Sequence, residues 1–154
     1  MRKAAQRFKY VDLVNLGIGI PENLDSAIVD CTSKIERART VCEWVVSTIA
    51  DDETTVDTEQ VLSCKKGTCL GKSALAVSLL RNLGFSKEEV FVIILVKKGE
   101  NPFEALHALV YLQSEEIFFD LTDGFCEYDK TLEDVSFTSM VVLMFNDEIC
   151  LVPY

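Results

Sequence analysis

Residues 67–84 read GTCLGKSALAVSLLRNLG and predict a helix at the centre of the molecule. Apolar side chains recur along this stretch at three- and four-residue steps, from Leu70 to Leu83, which is the spacing of one helix face. The first half is rich in Gly, Ser and Ala, whose small side chains let neighbouring elements approach closely. Gly84 follows the last apolar position, where a left-handed residue commonly ends a helix. The stretch therefore predicts a buried helix over residues 69–83.

A second helix is predicted upstream, over about residues 34–50. Ser33 and Glu36 have the spacing of a capping box, which satisfies free amides at a helix start. Apolar residues then recur on one face. Trp44 lies beside that face, where core packing is the favoured interpretation and an approach to a functional site is the alternative. Shorter helical segments are expected over residues 8–16, from Pro21 to Asp30, and from a cap at Thr58 to Leu62.

After Gly84 the pattern changes from helical to strand-like. Five apolar runs follow, at residues 90–96, 106–112, 117–121, 140–145 and 149–152. Polar turns separate the second run from the third and the fourth from the fifth, so each of these pairs is predicted to be an antiparallel hairpin. Helices followed by strands indicate an α+β domain with an antiparallel sheet.

Composition limits the classes of function. The chain has 154 residues with no composition break, so we expect a single domain over residues 1–154. The formal net charge of -10 disfavours binding to nucleic acid or to an anionic membrane surface. No apolar run approaches the roughly 20 residues that cross a bilayer, and the N-terminus lacks a signal-peptide pattern. The cytoplasm is therefore the expected location.

The six cysteines do not form a recognisable framework. The chain is long and apolar enough to fold without disulfides, and it lacks both Cys-x-x-Cys pairs and a second histidine for a zinc site. No acidic loop has a calcium-binding pattern. We expect no metal or organic cofactor, and we expect most cysteines to be small buried residues. The cysteines are at positions 31, 42, 64, 69, 126 and 150.

His107 is the only histidine in the chain. A lone histidine is more often structural than catalytic, but this one opens the first strand of a predicted hairpin. Counting from the turn places Asp120 on the partner strand, broadly alongside Leu109 or His107, so that a contact across the pair is available. A carboxylate there would fix one imidazole tautomer and stabilise the imidazolium.

Cys69 is placed where a nucleophile would be useful. It begins the central helix, whose partial positive charge favours a thiolate and whose free amides could hold an oxyanion. Gly67 would let the preceding loop pass close to a substrate. The alternative interpretation of Cys69 is a buried, unreactive thiol.

These residues resemble the motifs of the transglutaminase-like superfamily. The resemblance rests on Gly67-x-Cys69, an alanine five positions on, and Leu-Arg-x-Leu-Gly at residues 80–84. His107-Ala108 resembles the family's histidine motif and Asp120-Leu121-Thr122 its aspartate motif. With the upstream helix, the resemblance covers about residues 30–125, which we take as the core of the domain.

The resemblance implies a papain-like α+β fold in which N-terminal helices pack on a C-terminal antiparallel sheet. It further implies that Cys69 is the nucleophile, His107 the general base and later acid, and Asp120 the residue that orients the histidine. The expected activity is hydrolysis of a peptide or protein amide through a thioester, as in a cysteine peptidase or amidase. The alternatives are an amine acyltransferase and a non-catalytic protein-binding module on the same fold.

The chain departs from the family pattern at Leu109, Leu121 and Gly71, where the family often has an aromatic residue, a proline, and a larger or acidic residue. None of these positions belongs to the triad. Asp123 is an alternative to Asp120. The second oxyanion donor of papain-type enzymes is unassigned, because only Ser63 and Gln60 lie in the upstream segment that would supply it. Oligomeric state is open, and the net charge alone favours basic or neutral peptides.

Overall fold

The computed structural model describes residues 2–3, 9–99, 106–122 and 124–153. The α-helices within them are α1 (Glu22–Ile28), α2 (Lys34–Thr48), α3 (Thr58–Cys64), α4 (Cys69–Asn82) and α5 (Leu132–Thr138). The strands are β1 (Arg2–Lys3), β2 (Ala50–Asp51), β3 (Lys66–Gly67), β4 (Val90–Lys97), β5 (Leu106–Leu112), β6 (Ile117–Asp120), β7 (Cys126–Asp129), β8 (Ser139–Phe145) and β9 (Cys150–Val152). Short 3-10 helices cover Lys9–Leu13 and Gln113–Glu115.

Seven of these strands form one antiparallel sheet in the order β1-β9-β8-β4-β5-β6-β7. The predicted hairpins are present as β5–β6 and β8–β9, and β4 pairs with both β5 and β8 at the centre of the sheet. Strands β2 and β3 form a separate parallel pair. The molecule is thus an α+β fold with helices packed on an antiparallel sheet, which confirms the fold class predicted from the sequence.

The two faces of the sheet have different neighbours. Successive side chains of a strand point to opposite faces. In β4, Val92 and Ile94 belong to the large core that includes α4, whereas Phe91 and Ile93 belong to a smaller cluster that includes Val135 of α5. The first face therefore carries most of the helical layer, and the second face is covered by α5.

Helix α4 lies at the centre of the large core, as its small residues predict. Every residue from Gly71 to Leu80 is buried. The helix ends at Asn82, one residue before the predicted end, and Gly84 adopts the left-handed conformation with a φ of +97°. Because the helix is buried on all sides, it lacks the polar face that is typical of a surface helix.

Some helix starts and extents differ from the sequence prediction. Asp57, not Thr58, caps α3, since its side chain accepts a hydrogen bond from the Gln60 N–H at 3.1 Å while Thr58 is already helical. Pro21 precedes α1 as its cap instead of opening it, and α1 ends two residues earlier than predicted. Of the segment predicted as helical over residues 8–16, the structure describes residues 9–16, and these contain the short 3-10 helix given above and no α-helix.

Several short elements have no counterpart in the prediction. β2 and β3 contain two residues each, and β7 contains four, too few for a periodic pattern to be visible. Helix α5 did carry a signal, because Thr131 and Asp134 form a capping box. Its seven residues are too short to show an apolar stripe.

Candidate active site

Cys69 is the first residue of α4, and the amides of this helix start can be accounted for one by one. The first four N–H groups of a helix have no partner within it. The Thr68 N–H donates to the Thr55 carbonyl at 2.9 Å, and the Gly71 N–H donates to Thr68 Oγ1 at 3.0 Å. The Leu70 N–H points to the Cys69 sulfur. The fourth is the N–H of Cys69, for which the hydrogen bonds of the described residues give no partner, and it is therefore the candidate donor to an oxyanion.

His107 and Asp120 meet across the β5–β6 hairpin, as the hairpin predicted. Val110 lies opposite Phe119, so continuing the register places Asp120 opposite Leu109 and diagonal to His107, on one face of the sheet. The Nε2 of His107 lies 2.9 Å from Oδ2 of Asp120. A carboxylate at Nε2 makes that nitrogen the protonated one, which leaves Nδ1 for the sulfur.

The Asp120 carboxylate is held by more than the histidine. Its Oδ1 accepts hydrogen bonds from the Thr122 N–H at 3.0 Å and from Thr122 Oγ1 at 2.7 Å. Burial raises the pKa of Asp120, but the hydrogen bonds from His107 and Thr122 outweigh burial and lower it overall. Both carboxylate oxygens are therefore occupied, and the group is a fixed anion.

The Cys69 thiol and the His107 imidazole interact electrostatically, and each shifts the pKa of the other. The Asp120 hydrogen bond, followed by that of Cys69, raises the pKa of His107 to about 10. Burial raises the pKa of Cys69, but hydrogen bonds from His107 and the Ala108 N–H outweigh it, so the pKa is lowered. The arrangement favours a thiolate–imidazolium pair near neutral pH.

Helix α4 reaches His107 because β6 is short. The pairing of β5 with β6 stops at Val110, so the backbone of Ala108 has no partner in β6. Helix α4 contacts that backbone instead: Ser73 Oγ donates to the Ala108 carbonyl at 3.4 Å, and the Ala108 N–H contacts the Cys69 sulfur. The start of α4 therefore packs against the part of β5 that extends beyond its pairing with β6.

A buried ion pair supports the segment before Cys69. The Lys72 side chain is 2% exposed, and its Nζ lies 2.7 Å from Oδ1 of Asp51. Asp51 lies opposite Gly67 in the β2–β3 pair, and Gly67 is two residues before Cys69. Sequence reasoning missed this pair. Its only signal was a lysine three residues after Cys69, within an otherwise small and apolar helix.

Gly67 and Gly71, on either side of Cys69, are both explained by packing. A Cβ on Gly71 would lie 2.6 Å from the Thr55 carbonyl oxygen, so no larger residue fits there without moving the backbone. Gly67 is buried, and a Cβ on it would lie 3.0 Å from the Val61 side chain. The sequence predicts that Gly67 lets the loop pass close to a substrate. In the structure, Gly67 instead lets the loop pass close to α3.

The remaining candidates lie away from the reactive atoms or outside the described residues. Ser63 and Gln60 are exposed on α3, and none of the hydrogen bonds described for them reaches Cys69. Trp44 is buried in the large core, as core packing predicted. Asp123 lies outside the described residues, so its role as an alternative stays a prediction.

The other cysteines differ from Cys69. Cys31, Cys42, Cys64 and Cys150 are free thiols, and the side chain of Cys126 lies outside the described part of the chain. Cys42 is fully buried, and burial raises its pKa far above the usual range. Within residues 9–99, 106–122 and 124–153, no three His, Cys, Asp or Glu side chains gather as metal ligands would.

Comparison with known proteins identifies the family and the fold. Residues 22–129 match the sequence model of the transglutaminase-like superfamily. LapG of Legionella pneumophila is similar in structure, with a TM-score of 0.58 and 12% identity over 84% of this chain and 74% of that one. Calcium-bound LapG of the same organism has a TM-score of 0.48 and 13% identity over 85% and 86% of the two chains. No curated protein matches significantly in sequence.

The part of the chain that the structure describes contains no helix with the length and apolarity needed to span a bilayer.

Proposed function

The chain belongs to the transglutaminase-like superfamily, and we propose that it is a thiol-dependent acyl hydrolase, a cysteine peptidase or amidase. One observation carries the proposal: His107, whose Nε2 lies 2.9 Å from Oδ2 of Asp120, lowers the pKa of the Cys69 thiol at the start of α4. Cys69 is half-buried and the His107 side chain is 38% exposed, so a substrate can reach both from solvent.

The first half of the reaction forms a thioester. The Cys69 thiolate attacks the carbonyl carbon of an amide, and a C–S bond forms while the carbonyl oxygen becomes an oxyanion held by the Cys69 N–H. The C–N bond then breaks. The imidazolium of His107 donates its proton to the departing amine, so the amine leaves neutral and the acyl group stays on sulfur.

The second half releases the acyl group. Neutral His107 takes a proton from water as the water oxygen attacks the thioester carbon. The C–S bond breaks, the carboxylic acid leaves, and the thiolate–imidazolium pair is restored. Asp120 keeps its charge throughout and stabilises the imidazolium whenever His107 is protonated. An amine in place of water would give acyl transfer by the same steps.

The reactivity of Cys69 tests this proposal directly. Sub-stoichiometric iodoacetamide at neutral pH should label Cys69 ahead of the other five cysteines, as read by peptide mass spectrometry. The exposed Cys64 on α3 is the internal reference, because access is not limiting there. Uniform slow labelling of all exposed thiols would favour the binding-module alternative.

The pH dependence of labelling sharpens the test. The pKa of Cys69 is lowered, so the midpoint of its alkylation rate should fall below the ordinary thiol value of about 8.5. Removing the imidazole in His107→Ala leaves burial unopposed by that hydrogen bond, so the midpoint should rise to or above the ordinary value. A midpoint that does not move in His107→Ala contradicts the proposed pair.

Hydrolysis and transfer are distinguished by the acceptor. A reactive thioester or amide substrate is supplied with and without an excess of primary amine, and the products are separated by mass. Free acid as the main product in both mixtures supports the hydrolase. Amide as the main product in the presence of amine supports the acyltransferase alternative, while leaving the role of Cys69 unchanged.

A further inference from the structure

A cleft of about 400 Å³ lies on the face of the sheet that α5 covers, and His107 and Asp120 form part of its wall. Its apolar residues are nearly fully buried and come from three adjacent strands and α5. They are Leu95 of β4, Leu109 of β5, Phe118 of β6 and Val135 of α5. A ligand in this cleft would therefore contact apolar surface and the imidazole of the proposed triad together.

The rim of the cleft is positively charged, although the protein as a whole is strongly acidic. Lys97 at the end of β4 and Lys130 after β7 line it, together with the protonated His107. Asp120 is the one carboxylate among the lining residues that the structure describes, and its oxygens already accept hydrogen bonds from His107 and Thr122. Among the lining residues that the structure describes, Lys97, Lys130 and His107 are basic and Asp120 alone is acidic.

Strand alternation keeps the acidic residue Glu127 of β7 off this face. In β7, Tyr128 lines the cleft, while Glu127 points to the other side of the sheet and binds Arg39 of α2 at 2.7 Å. The Lys130 ammonium lies 5.8 Å from the centre of the Tyr128 ring. An aromatic ring and an ammonium group therefore stand together at the rim.

We propose that this cleft is the substrate-binding site, and that the substrate is a peptide with an apolar side chain next to a carboxylate-bearing residue. The apolar side chain fills the buried part of the cleft, and the carboxylate binds the lysines at the rim. This inference rests on the proposed acyl hydrolase function. It reverses the preference for basic or neutral peptides that net charge alone indicates, because basic residues outnumber acidic ones among the described residues that line the cleft.

A matched pair of peptides tests the preference. Two peptidyl chloromethyl ketones of equal length carry Phe beside the reactive group and either Glu or Gln next to the Phe. We expect the Glu reagent to alkylate Cys69 about tenfold faster at low salt, with the difference shrinking as salt screens the lysines. The variant Lys97→Gln with Lys130→Gln should remove the difference, while the adjacent Lys98→Gln should keep it.

Binding without reaction separates this inference from the proposed function. The corresponding unreactive peptide amides are titrated into Cys69→Ser protein by calorimetry. Tighter binding of the Glu peptide that is lost in the double lysine variant supports the cleft assignment. If Cys69 is nevertheless not labelled selectively, only the hydrolase proposal is overturned. Equal labelling and equal binding of the two peptides in the parent protein overturn the cleft assignment, and selective labelling of Cys69 would then still support the hydrolase.

Discussion

The two sides of the candidate active site are held in place by different means. On the helix side, Cys69 is positioned by buried features: the backbone of α4, the close approach of Gly71 to Thr55, and the Lys72–Asp51 ion pair. On the strand side, His107 is positioned by side-chain hydrogen bonds at a partly exposed hairpin end. We therefore expect mutations on the helix side to act mainly on folding stability, and mutations on the strand side to act mainly on the ionisation and reactivity of the site.

The largest effect is expected on the strand side. Asp120→Ala removes the group that orients His107 and stabilises its charge, so acyl hydrolysis should fall by about 10³-fold with little loss of folding stability. The measurements are kcat/KM on an amide or thioester substrate and the denaturant midpoint. Asp120→Asn, which keeps an oxygen acceptor but not the charge, should lose less. A large loss of stability in Asp120→Ala would contradict the expectation that changes on the strand side affect mainly reactivity.

The next effect is expected on the helix side. Gly71→Val places a side chain against the Thr55 carbonyl, where a Cβ alone would lie 2.6 Å away. The backbone must move, and we expect a loss of about 3 kcal/mol in the free energy of unfolding, measured with urea. Gly19→Ala is the matched control, because its Cβ would meet no atom within 4 Å. Equal stability of the two variants would show that the helix start is not tightly packed.

A smaller and asymmetric effect is expected from the buried ion pair. Asp51→Asn leaves the 2% exposed ammonium of Lys72 without its charged partner and should lower stability by about 2 kcal/mol. Lys72→Met leaves Asp51, which is 45% exposed and can be solvated, so it should cost less than half as much. Thermal unfolding of both variants measures the difference. Equal costs would mean that the pair acts through geometry and not through burial of charge.

Much of the fold was visible in the sequence because its main elements are long and periodic. Helices α2 and α4 have caps and apolar faces, and the hairpins β5–β6 and β8–β9 have apolar runs separated by short polar turns. The two-residue strands β2 and β3 could not be found, because their pairing depends on α2 and α4 already being in place.

Some contacts of the candidate site could be predicted from the sequence, and others could not. The contact between His107 and Asp120 follows from counting along one hairpin, so local sequence was sufficient. The contact between Cys69 and His107 joins two distant parts of the chain, and only the resemblance to a family suggested it. The partnership of Lys72 with Asp51 was invisible, because a lysine in a sequence does not reveal whether its charge is buried. The catalytic roles, the location and the single-domain organisation stay predictions.

The shortness of β6 has a consequence for how such a protein can vary. Helix α4 docks against Ala108 only because β6 ends at Asp120 and leaves that edge open. Insertions in the exposed turn at residues 113–115 would change a surface loop and leave the docking edge free. A longer β6 would extend its pairing with β5 past Val110 and occupy the edge against which the start of α4, with Cys69, packs. We therefore expect this fold to tolerate changes in the length of that turn more readily than changes in the length of the four-residue strand that carries Asp120.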